Sequence, residues 1–165
     1  MPATRDDLMA YLAKLGVVTT TVEHPPLHTV EESRALRGEI PGAHTKNLFV
    51  KDKKDAVFLI TAPEDATLDL KHIHHAIGAS GRVSFGKPDL LMELLGVLPG
   101  SVTPFGALND TAGRVNVILD ARLMAAEAIN CHPLVNTATT TISPAGLTAF
   151  LRATGHEPKV VVLAG

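Results

Sequence analysis

"NLFVKDKKDAVFLITA", residues 47–62, decides the fold class. Two runs rich in apolar, β-branched and aromatic residues, 47–52 and 56–62, flank a charged break, KDKKD. Such side chains suit a pleated, half-buried surface. A short polar break between two such runs reads as an antiparallel hairpin.

Working outward, residues 4–16 form an amphipathic helix. Thr4 caps it, Asp6 and Asp7 sit in its first turn, Gly16 ends it, and Leu8, Tyr11, Leu12 and Leu15 share a face. Residues 17–24 are β-branched and extended, and Pro25 and Pro26 then force a turn. Residues 29–38 read as a short helix with Thr29 at the cap and Glu32 three residues on, a capping box. Beyond the hairpin, helices are expected over 69–78, 87–96 and 143–155. Pro88 and Pro144 stand near the first helical positions and Gly96 closes the second of these helices. Strands are expected over 82–86, 114–120, 128–133, 136–142 and 159–165. Strands outnumber helices and several are sequence neighbours. The expectation is an α+β fold, with a mixed, largely antiparallel sheet and helices packed around it. One domain spans 1–165, with no repeat or linker.

The whole chain sets limits on function. Its 165 residues are 45% hydrophobic but only 4% aromatic, with no Trp and one Tyr. The core is therefore expected to be aliphatic. A net charge of −2 argues against a general nucleic-acid coat. It leaves room for local contact with one RNA end. A single cysteine, Cys131, excludes an internal disulfide and a Cys-based zinc site and points to a cytoplasmic setting. The N-terminus is unlike a signal peptide. No uncharged apolar run nears the ~18 residues of a membrane helix.

Four places could carry chemistry. "GVLPGSVTPFG", residues 96–106, alternates glycine and proline around Ser101 and Thr103. Glycine lets backbone approach a ligand and proline fixes the direction, although a plain surface loop has the same composition. Lys46 begins on the strand face of Leu48 and Val50. If that face is core, its ammonium must find a cavity, a carboxylate or an anion, or else snorkel to the sheet edge. Lys51, Lys53 and Lys54 form a tip that is either solvated or turned to phosphates. His132 stands at a strand end in NCHPLVN, where polar groups often meet a cleft. His24 and His28 fit the Pro-Pro turn. His72 and His75 have metal-ligand spacing but no third ligand, so a solvated helix face explains them better. Cys131 and His132 are adjacent on a strand and point to opposite faces, which argues against a thiol–base pair and for a core cysteine.

HPPLHTVEES, HTKNLFVKDKK with its second strand, GSVTP and CHPLVN, in this order along essentially the whole chain, resemble the YbaK/ProRS-associated editing domain family. The nearest subgroup is the free-standing prolyl-tRNA editing proteins. The resemblance implies a hydrolase that deacylates mischarged tRNA for proline in trans. Alanine is the expected amino acid, and the sister subgroup's cysteine is the alternative. Carried over by position, the family's threonine is Thr29, its lysine Lys46, the following asparagine Asn47, its loop glycine and proline Gly100 and Pro104, and its histidine His132. Lys46, Gly100 and His132 are then the catalytic set. Thr29, Asn47, Ser101 and Pro104 bind substrate. Lys46 would hold a phosphate or the ribose of the terminal adenosine, and His132 would line the amino-acid pocket. No cofactor or metal is implied. The expected partner is mischarged tRNA for proline, with prolyl-tRNA synthetase a candidate, and neither DNA nor a membrane is expected. A non-catalytic RNA- or DNA-binding module using the Lys51–Lys54 tip is the competing class. Net acidity and the shortage of exposed aromatic platforms speak against it.

Overall fold

A computed structural model describes residues 2–26, 32, 35 and 40–163. At its centre is the hairpin of β2 (Ala43–Lys51) and β3 (Val57–Pro63), paired antiparallel from Thr45↔Pro63 to Lys51↔Val57. Asp52 sets the turn. Its carboxylate accepts from the N–H groups of Lys54, Ala56 and Ser80, at 2.9, 3.0 and 2.8 Å. Asp52 is therefore buried, and the Ser80 N–H above all holds its carboxyl below the usual aspartate range. Lys51 pairs with Asp55 at 3.4 Å, and Lys53 and Lys54 are exposed.

Around the hairpin the strands run in the order β1-β7-β6-β2-β3-β5-β8, with β4 also pairing β2. The added strands are β1 (Thr19–Glu23), β4 (Ser84–Phe85), β5 (Val115–Asp120), β6 (Ile129–Cys131), β7 (Ala138–Ile142) and β8 (Lys159–Val161). Four pairings are antiparallel, while β2/β6, β3/β5 and β5/β8 are parallel. The expected mixed sheet forms. β3 lies between β2 and β5 and is buried without interruption from Val57 to Ala62, as a strand covered on both faces should be.

Alternate residues of β3 feed two apolar clusters. Val57 and Leu59 join the larger one with Leu95, Phe105 and Phe150. Phe58 and Ile60 join a smaller one with Ile73, Ile77 and Ile118. Aliphatics dominate, but four of the five phenylalanines are also buried: Phe49, Phe58, Phe105 and Phe150.

Helices form where the sequence signals place them, one of them shortened, and a further helix over Ala121–Met124 has no counterpart among those expected. The helices are α1 (Arg5–Lys14), α2 (Ile73–Ile77), α3 (Pro88–Leu95), α4 (Ala121–Met124) and α5 (Pro144–Ala153). Thr4 and Asp7 form a reciprocal capping box on α1. Leu8 and Leu12 are buried, but Leu15 has passed the end of the helix and is 38% exposed, so it leaves the expected apolar face. Ser143 caps α5 by accepting from Gly146 N–H. The helix expected over 69–78 starts only at Ile73, because the Asp69 carboxylate takes the Lys71 N–H and holds the first residues in a turn. The strand expected over 82–86 shrinks to Ser84–Phe85, and the final strand ends at Val161. Of the helix expected over 29–38, only Glu32 and Ala35 are described, both helical, and its cap Thr29 lies outside the described residues. Among the described residues no helix is long and apolar enough to cross a membrane.

Candidate active site

β2 has one edge fully covered by β3 and one edge shared between two short strands. On the shared edge, β6 pairs Ala43 and His44, and β4 pairs Val50 and Lys51. Among the described residues no strand pairs with 45–49 on that edge. Among the described residues this leaves a window in the sheet, bordered by Lys46, Asn47 and Leu48. An unpaired strand edge leaves backbone donors and acceptors open to a ligand.

Lys46 and Asn47 leave β2 on opposite faces. Thr61, directly across the hairpin, donates its hydroxyl to Asn47 Oδ1 at 2.7 Å, which fixes the amide with its oxygen toward β3. Thr45 donates to the Asn130 carbonyl at 2.8 Å and ties β2 to β6 beside the window. The Lys46 ammonium is half-buried and donates to the Ala66 carbonyl. Among the described residues its hydrogen-bond partner is a neutral backbone oxygen and not a carboxylate. An ammonium has three donors, so one carbonyl satisfies only part of that capacity.

The glycine–proline segment is more ordered than a plain loop. It forms two short 3₁₀ helices, Pro99–Ser101 and Pro104–Asn109. Thr103 caps the second by accepting from Phe105 N–H at 3.3 Å, and Pro104 takes its first position. Phe105 anchors the turn edge-on to Phe150, with ring centroids 5.4 Å apart. At Gly106 a Cβ would come within 2.9 Å of Leu95 Cβ, so the glycine lets the segment lie against α3. Pro104 is buried and stiffens the segment from beneath. Ser101 is also buried, and its N–H is taken by the Leu98 carbonyl. Leu98, Pro99 and Gly100 are exposed, and a Cβ at Gly100 would sit 3.5 Å from Asn136 Nδ2.

That contact joins GSVTP to CHPLVN. In the latter, Leu134 is buried with φ of 69°, a left-handed conformation that costs a leucine about 1–2 kcal/mol. The bend turns the chain between His132 and Asn136. His132 lies 3.2 Å from the Ala138 carbonyl through Nδ1. A carbonyl can only accept, so Nδ1 carries the proton and Nε2 is left as the acceptor. Burial pushes the His132 pKa below the ordinary histidine value, and neighbouring His24 adds to this. The Ala138 hydrogen bond opposes the shift without cancelling it. His132 is thus neutral at neutral pH. Among the described residues no hydrogen bond links Lys46, Gly100 and His132 to one another.

Residues 24–150 match the family model of the aminoacyl-tRNA editing domain. The chain belongs to that family. Editing of this kind hydrolyses the ester between an amino acid and the tRNA's terminal ribose, so this is an aminoacyl-tRNA deacylase. A zebrafish (Danio rerio) prolyl-tRNA synthetase associated domain-containing protein 1 is 39% identical over 159 residues, covering 95% of this chain and 86% of its own. The prolyl-tRNA editing protein ProX of Acetoanaerobium sticklandii is 34% identical over 157 residues, covering 94% and 95%. A crystal structure provisionally assigned as a trans-editing enzyme for prolyl tRNA synthetase has the same fold. It gives a TM-score of 0.71 at 21% identity over 98% of this chain and 99% of that one.

In the editing domain, Cys131 is buried and its thiol is pushed up to about 12. It is therefore an inert core group, within 3.7 Å of Thr45 Oγ1. His24 pins the Pro-Pro turn, meeting the Pro25 carbonyl and Thr139 Oγ1 at 2.9 and 2.8 Å. His28, like Thr29, lies outside the described residues. His72 pairs with Asp69 at 2.7 Å on an exposed surface. Among the described residues no group of three or more His, Cys, Asp or Glu is arranged to hold a metal. Asn136 stands in CHPLVN, but the sequence alone assigns it no part. The only local signal was an amide in a turn, and its approach to Gly100 depends on the bend at Leu134.

Proposed function

We propose that this editing domain acts in trans on mischarged tRNA for proline, with the alanyl form as preferred substrate. The named relatives support the tRNA. The observation that carries the chemistry is the open Gly100 backbone beside Asn136, in the turn that also presents neutral His132. A side chain at position 100 would stand where an aminoacyl ester can lie flat on the chain. Water attacks the ester carbonyl carbon, and the carbonyl oxygen gains charge against nearby dipoles such as the Asn136 amide. The C–O bond to the ribose then breaks, the ribose oxygen takes a proton, and free amino acid leaves. Dipoles set by Pro104 and by the Leu134 bend need little rearrangement as that charge develops. His132 walls the amino-acid pocket and orients the acyl group, and Lys46 holds a phosphate or the ribose of the terminal adenosine as a point charge.

A synthetase pocket built for proline cannot strongly reject a smaller side chain. Missing methylenes are worth only about 1–3 kcal/mol. A second pocket too small for the proline ring supplies the remaining discrimination.

The test measures kcat/KM on alanyl-, cysteinyl-, seryl- and prolyl-tRNA for proline. The alanyl form is expected to be fastest and the prolyl form slowest. A cysteinyl preference would move the protein to the other subgroup, and rapid prolyl hydrolysis would refute the size sieve. Lys46→Ala should remove most deacylation and flatten the salt dependence of tRNA binding. Wild-type rates in that variant at low substrate would remove Lys46 from the site.

A further inference from the structure

Phe85 is the one phenylalanine left outside the core. The other four are buried, whereas Phe85 is 60% exposed. It lies on β4, the short strand that closes one end of the window in β2. The next residue explains the placement. A Cβ at Gly86 would run into the ring of Phe49, so glycine brings β4 flat against that ring while Gly86 N–H donates to the Phe49 carbonyl at 2.9 Å. Beside this strand runs a groove of about 270 Å³, lined by Phe85, Gly86, Pro99, Val102, Asn47 and Phe49 among others. The groove is continuous with the window through Asn47. It also shares the Pro99–Ser101 turn that carries Gly100. Arg82 and Lys87, three residues before and two after Phe85, are exposed, as is Asp89.

We propose that this groove takes the adenine ring of the tRNA's terminal nucleotide, stacked on Phe85. The inference deepens the editing reading and rests on it. An ester bound at Gly100 is attached to a ribose, and the base on that ribose must lie within one nucleotide of the window. The groove offers an apolar slot with an exposed aromatic side chain, and Arg82 and Lys87 flank Phe85 in sequence, which suits a flat base followed by a phosphate chain. Unstacked RNA ends are bound in this way by protein aromatics. The shortage of aromatic platforms inferred from composition is thus offset by one residue in the right place.

Loss of a stacking partner weakens binding rather than chemistry. Phe85→Ala is expected to raise KM for alanyl-tRNA for proline by about tenfold with kcat nearly kept. Phe85→Tyr, which preserves the aromatic face, should restore KM. Hydrolysis of alanine ethyl ester, which has no base, should be equal in all three proteins. Independently, 5′-AMP added to the wild-type protein should shift the NMR resonances of Phe85, Gly86 and Phe49, and 5′-CMP should shift them less. An unchanged KM in Phe85→Ala, a loss confined to kcat, or AMP shifts elsewhere on the surface would overturn the subsite while leaving the editing function intact. Shifts at Phe85 in a protein that deacylates no tRNA for proline would overturn the editing substrate and keep the base site.

Discussion

His156 and His132 both sit in polar surroundings, and they differ in what their second nitrogen does. His156 is 4% exposed, with Nε2 at 2.7 Å from Asp110 Oδ2 and Nδ1 at 2.9 Å from Thr154 Oγ1. Asp110 in turn accepts from the N–H groups of Arg114 and Val115 at 3.1 and 2.7 Å. Every polar atom there is engaged in holding the end of α5 to the start of β5. His132 has one nitrogen tied to Ala138 and one left as an acceptor, next to a backbone bend that leucine rarely adopts. A saturated network stabilises the fold. An incompletely saturated group beside local strain is where a ligand completes the bonding. Hydroxyl, imidazole and carboxylate are all present around His156, yet they are sealed from substrate.

That contrast can be broken most forcefully at Asp110. Asp110→Ala leaves His156 and two N–H groups without their acceptor. It should cost about 3 kcal/mol or more of stability, read as a lower denaturation midpoint, while the folded protein keeps its kcat. A folded, stable variant with no activity would place this network in the mechanism.

His132→Ala should do the reverse. Misplacing the acyl group is expected to lower kcat/KM for the alanyl substrate about 100-fold, with little change in the denaturation midpoint and a relative gain for bulkier amino acids. The pH dependence sharpens the point. Because the folded His132 pKa lies below the ordinary 6.5, the unfolded chain takes up this proton first. Its effect on stability is absent above that value, and stability falls as pH drops from 6.5 through the folded pKa. Deacylation should fall over the same acid range in the wild type, and that limb should vanish in His132→Ala. An identical acid limb in both proteins would assign it to another group.

The smallest effect is expected at Cys131. Cys131→Ser places a hydroxyl in the core beside Thr45, at a cost of about 1 kcal/mol, with activity preserved. A folded but inactive Cys131→Ser would restore a thiol mechanism.

Much of this was legible in the sequence because it is local. The β2–β3 hairpin, the Thr4 and Ser143 caps, the glycine ends of α1 and α3 and the strand character of β5 all depend on neighbours a few residues apart. Lys46 and His132 were legible as polar residues in awkward places. What could not be read is long-range. The window exists because β6 and β4, 86 and 35 residues away at the paired positions Ala43↔Ile129 and Val50↔Phe85, cover the two ends of one edge, and no strand among the described residues covers its middle. The facing of Gly100 and Asn136, and the stranding of Phe85 outside the core, follow from that same tertiary arrangement. Neither leaves a periodic trace.

The pairing of β1 with β7 has a consequence for how the protein is made. Thr19 partners Ile142, and Ala43 partners Ile129. The N-terminal strands therefore wait on the ribosome until most of the chain has emerged. At about 5–20 residues per second, that delay is on the order of ten seconds. During it, β1 and the shared edge of β2 are open to strangers. A nascent chain released before β7 is complete lacks the partner of β1, so termination ahead of Ile142 should yield an aggregating fragment and no smaller working enzyme.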